Sequence, residues 1–431
     1  MLRTILFWTH LVAGVLAGIL IVVMSVTGVA LTYERQMTHW ADMRSLDPVD
    51  AGATTFLGTD SLVVLATTAH GGTAPGSITR TADPTAPVLA AFGRDGVLYL
   101  DPASGRVLGA GSTAARDFFG AMEEWHRWLA GKGENRTLFK SANDAANLLF
   151  LLIVLTGMVL WLPKTITWVR VRAVLWFRSG LRGKARDFNW HNVLGIWSAL
   201  PLIAIVASGA VISYPWASDL VYKAVGETPP PRGGPGGPPG AGAQAGAGGG
   251  QAGQGAGGAA QGAGQGEGRV AGGRMAGAAG AAATVSGGDS ATRHTSLDAA
   301  IATAQPLMAD YLSITVQVPK PGAKTIGVTL DRGTGGQPQH RATVQVASAT
   351  GAVARFEPFD SLTAGRQARG ILRFTHTGEV LGVFGQTIAG LVTLASVVLV
   401  VTGMMLAIRR AARALARRGS EREPSVAGAT N

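Results

Sequence analysis

Four apolar stretches without a formally charged residue restrict what this chain can fold into. They run from Ile5 to Tyr33, from Ala145 to Leu162, from Trp190 to Tyr214 and from Val380 to Ile408. A helix needs about 20 apolar residues to cross a bilayer, and each stretch approaches or exceeds that length. The first is far longer than the apolar core of a secretory signal peptide and has no clear cleavage site, so we predict a retained helix. The sequence therefore predicts a membrane protein with four spanning helices.

The net charge of +11 is concentrated beside these stretches. Seven Lys and Arg against one acid lie between Pro163 and Asp187, and six against two follow Ile408. The charges of the two long segments at 34–144 and 215–379 cancel each other. Because positive segments stay on the cytoplasmic side of a membrane, we predict cytoplasmic N- and C-termini and two large outer loops. This distribution is typical of contact with a lipid bilayer and predicts no nucleic-acid partner.

The chain contains no cysteine. This excludes thiolate-ligated iron–sulfur clusters, disulfides and covalently attached c-type haem. A redox cofactor in this protein would need other ligands.

Each outer loop has the pattern of a small α+β unit. Residues 96–109 form a predicted strand-turn-strand, with Pro102 and Gly105 at the turn, and residues 296–308 form a predicted helix followed by alternating strands. Between Thr228 and Gly288 the composition is dominated by Gly, Ala, Pro and Gln, which predicts a disordered insertion that acts as a passive spacer.

The predicted topology divides the eight histidines into two groups. Polar outer-loop sequence, where a solvated position is expected, surrounds His39, His70, His294 and His340. The other four lie at or beside the apolar stretches, with His10 and His191 at the cytoplasmic ends of the first and third, and His126 and His376 on the outer side.

The first and third stretches repeat each other in register. The matching positions are His10, Gly14, Thr27, Gly28, Leu31 and Tyr33, and then His191, Gly195, Ser208, Gly209, Ile212 and Tyr214. The second and fourth stretches share the ending Thr-Gly-Met, at Thr156 and Thr402. A duplicated two-helix unit explains this pattern. The alternative is coincidence among the small and apolar residues that membrane helices use for packing.

Duplication would place His10 and His191 at one depth on helices that run the same way, so that their imidazoles can bind one metal from opposite sides. Gly14 and Gly195 lie one turn along from them, where the absence of a Cβ leaves room for a flat ring. A porphyrin fits this pattern better than a bare ion. Ionisable residues inside a membrane are mostly functional, which supports the assignment.

His126 and His376 predict a second site on the outer side. The fourth helix is expected to begin before its apolar run and to include His376, whereas His126 fits a short interfacial helix. An amphipathic role for His126 at the membrane surface, beside Trp125 and Trp128, is the alternative. At about 1.5 Å per helical residue, the two sites would be roughly 25–30 Å apart along the membrane normal.

The segments WHRWL, TGMVLWLP and NWHNVLG, the late membrane-proximal His376 and the outer strand-turn-strand units resemble the PepSY-associated transmembrane family. The resemblance covers nearly the whole chain except the Gly-rich insertion. It implies a membrane all-α four-helix bundle with a duplicated two-helix unit and two small periplasmic α+β domains of the PepSY type. Members of this family include bacterial inner-membrane reductases of ferric siderophores with two b-type haems. The resemblance therefore implies that His10, His126, His191 and His376 are the axial ligands of two haems b.

This interpretation divides the chain into ten segments. They are spanning helix 1 (1–33), the first periplasmic domain (34–144), spanning helix 2 (145–163), a basic cytoplasmic loop (164–189), spanning helix 3 (190–214), a periplasmic extension (215–227), the Gly/Ala/Pro-rich insertion (228–290), the second periplasmic domain (291–370), spanning helix 4 (371–408) and a basic cytoplasmic tail (409–431). The inner loop carries no Gly-rich dinucleotide fingerprint after a strand, so a separate quinol or flavin reductase is the expected electron donor.

The leading functional prediction is a haem-b electron carrier that reduces a ferric complex, a ferric siderophore in the family's pattern, on the periplasmic side; no catalytic residue is assigned. One alternative is a transporter in which the histidines bind Fe, Zn or Cu directly. No carboxylate or methionine recurs beside the histidines, which argues against it. Another is a non-catalytic PepSY module that regulates a periplasmic enzyme, which leaves the helix repeat unexplained.

Overall fold

A computed structural model describes residues 1–50, 52–163, 165, 167–231 and 295–420. His294 and nearly all of the predicted insertion at 228–290 lie outside the described residues. The helices are α1 (Leu2–Leu31), α2 (Glu34–Ser45), α3 (Thr59–Ala69), α4 (Thr113–Trp128), α5 (Asn135–Trp161), α6 (Trp168–Leu175), α7 (Gly183–Ser213), α8 (Pro215–Ala224), α9 (Leu297–Ala304), α10 (Ala364–Thr377) and α11 (Gly382–Ser420). The strands are β1 (Ser77–Thr81), β2 (Val88–Ala91), β3 (Val97–Leu100), β4 (Val107–Gly109), β5 (Ser313–Gln317), β6 (Thr325–Asp331), β7 (Arg341–Ala347) and β8 (Val353–Pro358).

Four of the described helices, α1, α5, α7 and α11, are long and apolar enough to cross a membrane, as predicted. α1 and α7 each pack against both α5 and α11, so α1 and α7 face each other across the bundle. Apolar side chains that include Ile21, Phe150 and Val206 fill its centre. Small residues bring the helices close together, as where the Ser396 hydroxyl donates to the Ser25 hydroxyl at 2.7 Å.

The fourth predicted spanning helix, 371–408, is two separate helices. Gly378 ends α10 with a φ of 77°, a short 3-10 turn follows at Glu379–Leu381, and Gly382 begins α11 with a φ of 63°. These left-handed conformations suit glycine, and a Cβ on Gly378 would lie 2.6 Å from the Gly385 carbonyl oxygen. The prediction that His376 lies on a helix continuous with the fourth span is therefore wrong. α11 also extends to Ser420, into the predicted tail.

The second and third spans begin earlier than their apolar stretches. α5 starts at Asn135 rather than 145, and α7 starts at Gly183 rather than 190. A polar side chain in the added turns bonds within the protein, since Asn143 Nδ2 donates to the His126 carbonyl oxygen at 2.8 Å. Hydropathy alone underestimates such helices because internal hydrogen bonds compensate for the polar residues.

The described strands form one antiparallel sheet of eight, in the order β4-β3-β2-β1-β5-β6-β7-β8. β1 and β5 join the two halves, with Ser77 opposite Gln317 and Thr81 opposite Ser313. One face of the sheet is apolar, and Leu62 of α3 and Ala300 of α9 pack into its core. The two predicted α+β units thus share one sheet and one core.

Reciprocal helix caps also join the halves. The carboxylate of Asp60 accepts hydrogen bonds from the backbone N–H groups of Leu297 and Asp298, at 2.9 and 3.1 Å. The carboxylate of Asp298 accepts them from Thr59 and Asp60, at 2.6 and 3.4 Å. Each aspartate therefore satisfies the free N–H groups at the start of the other half's helix.

The order of elements repeats along the chain. A spanning helix, two shorter helices, four strands, a further short helix and a second spanning helix make up α1 to α5, and the same order makes up α7 to α11. The duplicated unit therefore includes the strands and the short helices as well as the two spanning helices.

Candidate functional site

Three of the histidines predicted to be solvated lie away from the bundle. His39 is exposed on α2. His70 follows α3 and stacks on Phe92, with 3.8 Å between ring centres. His340 is half-buried at the start of β7. His294 lies outside the described residues.

The first histidine pair, named pair I here, consists of His10 on α1 and His191 on α7. Their ring centres are 6.2 Å apart and their planes are at 87°. His10 Nδ1 lies 3.0 Å from the Ile153 carbonyl oxygen, and His191 Nδ1 lies 3.1 Å from that of Leu399. α5 and α11, which separate α1 from α7, thus hold the two rings from their Nδ1 sides.

The second pair, pair II, consists of His126 on α4 and His376 on α10. Their ring centres are 6.1 Å apart and their planes are at 53°. His126 Nδ1 lies 3.0 Å from the Met24 carbonyl oxygen on α1, and His376 Nδ1 lies 2.8 Å from that of Ile205 on α7. α4 and α10 are short amphipathic helices packed against α1 and α7, so the pair is completed by helices outside the four spans. His126 thus lies on a short helix, one of the two placements the sequence left open.

Each histidine lies against a glycine that follows a hydroxyl residue, and for His10, His191 and His126 the hydroxyl also lies within 3.1 Å of Nδ1. These dipeptides are Thr156-Gly157 for His10, Thr402-Gly403 for His191, Thr27-Gly28 for His126 and Ser208-Gly209 for His376. A Cβ added to any of the four glycines would lie between 3.0 and 3.3 Å from the Cε1 of its histidine. The glycines therefore allow the imidazoles to approach the neighbouring helix backbone closely.

The hydrogen bonds determine which ring nitrogen carries the proton. Thr156 Oγ1 donates its own proton to the Leu152 carbonyl oxygen at 2.7 Å, so it accepts from His10 Nδ1, as does the Ile153 carbonyl oxygen. A carbonyl oxygen cannot donate, so Nδ1 carries a proton, and in the neutral imidazole the Nε2 lone pair is free. The same argument holds for the other three histidines, each of which has a carbonyl oxygen at Nδ1. Metal-bound histidines typically have this second interaction.

The spacing of each pair fits a metal atom between the two Nε2 atoms. A metal–nitrogen bond of about 2.0 Å, added to about 1.1 Å from nitrogen to ring centre, puts two ring centres roughly 6.2 Å apart across one metal. The measured distances of 6.2 and 6.1 Å agree with that value. Among the described residues there is no group of three or more His, Asp or Glu side chains suited to a metal ion, so each pair offers two protein ligands and leaves the other positions to a non-protein ligand.

The two predicted glycines lie beside pair I. Gly14 has no heavy atom within 4 Å of an added Cβ, and at Gly195 the nearest is Leu399 Cδ2 at 3.8 Å. One turn from His10 there is therefore open space along the helix, and at Gly195 a Cβ would make only an ordinary van der Waals contact; both positions are compatible with a flat ring nearby.

The two pairs lie at different depths of the bundle. Two residues of α1 contact His126. Met24 lies 14 positions after His10, and Gly28 lies 18 positions after it. The offsets on α7, from His191 to Ile205 and Gly209, are the same. At about 1.5 Å per residue the separation is roughly 21–27 Å.

Sequence inspection finds the Thr-Gly and Ser-Gly dipeptides as signs of a repeat but misses their role as contacts of the histidines. His10 and Thr156 are 146 positions apart in the chain, and their contact depends on the packing of α1 on α5. The Thr-Gly dipeptides of α5 and α11 match each other in the sequence. This match is the signal that could have indicated their contact with the histidines.

Spanning helices and paired, half-buried histidines define a multi-pass membrane protein with two candidate metal centres. Residues 7–410 match the family model described as PepSY-associated TM region, and the chain belongs to that family. No curated protein sequence matches the chain.

Proposed function

We propose that this protein holds two b-type haems and carries electrons across the bacterial inner membrane to a ferric siderophore or a similar ferric complex. The observation that supports the proposal best is the presence of two histidine pairs, each with protonated Nδ1 atoms and a spacing of 6.1–6.2 Å, stacked through one bundle. When bound, haem would supply a one-electron iron couple, and reoxidation of the reduced haem iron would pass one electron to the Fe(III) of the acceptor and leave Fe(II), which siderophores bind less tightly.

The residues of the chain have three tasks in this proposal. His10, His191, His126 and His376 supply the Nε2 ligands. The carbonyl groups and hydroxyls at Nδ1 fix the tautomer and orientation of each ring, which raises the basicity of the ligands. The apolar bundle core around Phe150 and Val206 excludes water between the two centres.

The orientation in this proposal puts both termini in the cytoplasm and the sheet in the periplasm. It rests on the positive charge at 163–187 and beyond Ile408. Pair I would then accept electrons from a separate quinol or flavin reductase, and pair II would deliver them to the acceptor.

Absorption spectroscopy of the purified full-length protein tests the proposal. We expect a Soret band, sharp α and β bands after dithionite reduction, and two haems b per chain in the pyridine haemochrome assay. Bound metal without a Soret band would replace the proposal with a transporter, and a protein with neither metal nor porphyrin would replace it with a regulatory module.

A further inference from the structure

A half-buried arginine without an acidic partner of its own lies beside pair II. Arg373 is on α10, three residues before His376, so both side chains are on the same face of the helix. Among the described residues Arg373 has no ion-pair partner and no hydrogen-bond acceptor, and its guanidinium carbon lies 5.8 Å from the ring centre of Phe374.

The charges around Arg373 are mainly positive. Burial and the charges of Arg127 and Arg369 lower the pKa of Arg373, and Arg341 adds to this effect. Glu379, whose charge acts in the opposite direction, forms an ion pair with Arg35 at 3.1 Å.

The neighbouring arginines have other partners. Arg127 pairs with Glu123 at 2.6 Å, and Arg341 pairs with Asp331 at 3.1 Å. Arg369 donates from Nε to the Ser218 hydroxyl at 2.9 Å. Glu123, Asp331 and Glu379 are thus paired with other arginines, and Glu379 acts on the charge of Arg373 without forming an ion pair with it.

Arg127 lies on α4, the other helix of pair II. It follows His126 directly on α4, and its guanidinium carbon lies 4.3 Å from the ring centre of Trp128. The two arginines therefore accompany the two histidines of pair II, one on each short helix.

A half-buried charge among like charges loses part of its hydration, which is costly unless an anion compensates it. The planar guanidinium matches a carboxylate, to which it can donate two parallel hydrogen bonds. We propose that Arg373, assisted by Arg127, binds a carboxylate at the edge of pair II. The carboxylate comes either from a propionate of a porphyrin held by His126 and His376, a source that rests on the proposed function, or from a soluble carboxylate ligand.

Binding measurements with three probes test this proposal on the full-length apoprotein. Protohaem IX and its dimethyl ester differ only in the charge of the propionates, and citrate is a soluble carboxylate. Haem binding is followed by the Soret band, and citrate binding by the fluorescence of the nearby tryptophans Trp125 and Trp128. The variants are Arg373→Gln, Arg373→Lys and the matched control Arg355→Gln, whose side chain is 64% exposed and pairs with Glu357.

We expect wild-type protein to bind protohaem about tenfold more tightly than the ester at pair II, since a hydrogen bond to a charged group has about this value. Arg373→Gln should lose the preference, Arg373→Lys should regain part of it, and Arg355→Gln should keep it. A different result is that wild type binds protohaem and its dimethyl ester equally and also binds citrate, with only the citrate binding abolished by Arg373→Gln. That result would assign the bound carboxylate to a soluble ligand. If Arg373→Gln bound all three probes as wild type does, the proposed site would be wrong.

Two further readouts separate this site from the proposed function and from a purely structural role. Failure of wild type to bind either porphyrin would overturn the proposed function, and the citrate measurement would still decide whether Arg373 binds an anion. The apoprotein of Arg373→Gln should unfold at the same or a higher temperature than wild type, because a repulsion is removed. A clear fall in that temperature would assign Arg373 to packing and overturn the proposal.

Discussion

At the scale of single residues, the protonation state of the four histidines follows from their neighbours. Each Nδ1 faces a backbone carbonyl oxygen, which can only accept. The free lone pair is therefore at Nε2 throughout. This consequence of helix packing cannot be found in the sequence, whereas the four histidines themselves could be selected from it by their position beside apolar stretches.

Removal of one ligand should affect one centre selectively. We expect His191→Ala to lose one of two haems, because pair I would keep only His10 while pair II is unchanged. Pyridine haemochrome analysis and reduced-minus-oxidised spectra measure this loss. His39→Ala, on the exposed surface of α2, is the matched control and should keep both haems. Retention of two haems by His191→Ala would contradict the ligand assignment.

Substitution of Gly14 tests whether a flat ring is bound beside this residue or whether the space there stays empty. An added Cβ meets no protein atom, and alanine favours a helix over glycine by about 1 kcal/mol, so the apoprotein of Gly14→Ala should be at least as stable as wild type. A porphyrin against this turn would collide with the new methyl group. We therefore expect weaker haem binding at pair I, measured by Soret titration.

Gly120→Ala is the control for this experiment. Gly120 lies on the exposed side of α4, and a Cβ there also meets nothing within 4 Å. Equal haem affinity of Gly14→Ala and Gly120→Ala would exclude Gly14 from the haem contact.

At the scale of secondary-structure elements, the short helices α4 and α10 determine pair II. The sequence predicted a short helix for His126 as one option but extended the fourth span through His376. Glycines at 378 and 382 break that helix by adopting positive φ, and the turn between them, Glu379–Leu381, includes the first two residues of the apolar stretch. The position of α4 depends on contacts with α1 and α2, which no local pattern encodes.

Asp42 of α2 anchors α4 to the sheet. Its carboxylate is buried and accepts from Arg116 Nη2 at 2.6 Å, from the Tyr99 hydroxyl at 2.7 Å and from the Ser112 backbone N–H at 2.7 Å. Removing one partner of a buried ion pair costs about 3–5 kcal/mol, so Asp42→Ala should lower the free energy of unfolding by this order. Because α4 carries His126, we also expect preferential loss of the haem at pair II.

Chemical denaturation and haem content, measured on the same preparation, check this prediction. Asp47→Ala is a suitable control, since Asp47 pairs with Arg106 at 3.3 Å and its side chain is 68% exposed. Equal effects of the two substitutions would show that Asp42 has no anchoring role.

A carboxyl group at the start of α2 should make stability depend on pH. Burial, and then the charge of Glu123, raise the pKa of Glu34 from 4.5 to about 7. The folded state thus binds the proton more tightly than the unfolded state, and this stabilisation is present below pH 4.5 and lost as the pH rises through about 7. We expect Glu34→Gln to be less sensitive than wild type over this range.

Thermal unfolding at pH 5 and pH 8 measures the difference. Glu134→Gln, at an exposed position before α5, should keep the pH dependence of wild type. If Glu34→Gln showed the same change in unfolding temperature between the two pH values as wild type, Glu34 would not be the titrating group.

At the scale of the whole molecule, the duplication was visible in the sequence but its extent was not. Six positions matched between the first and third spans. The pairing of β1 with β5 had no comparable signal. Thr79 and Thr315, whose hydroxyls are 2.8 Å apart across that pairing, are 236 positions apart in the chain. Alternating patterns predict strands, but they do not determine which strand edges meet when several are available.

The symmetry of the halves leads to a prediction about transfer through the whole protein. Each half contributes one histidine to each pair: His10 and His126 come from the first half, and His191 and His376 from the second. Neither half alone can then form a centre, and the two centres lie at different depths. Transfer across the bilayer should therefore require both pairs. We expect His10→Ala and His376→Ala each to retain one haem. In proteoliposomes that enclose a reductant, electron transfer to an external ferric chelate measures the activity of each variant. Each variant should transfer electrons no faster than protein-free vesicles do. Ferrous iron trapped outside by a coloured chelator gives the rate. Substantial transfer by either variant would mean that one centre is enough, and the second pair would then need another role.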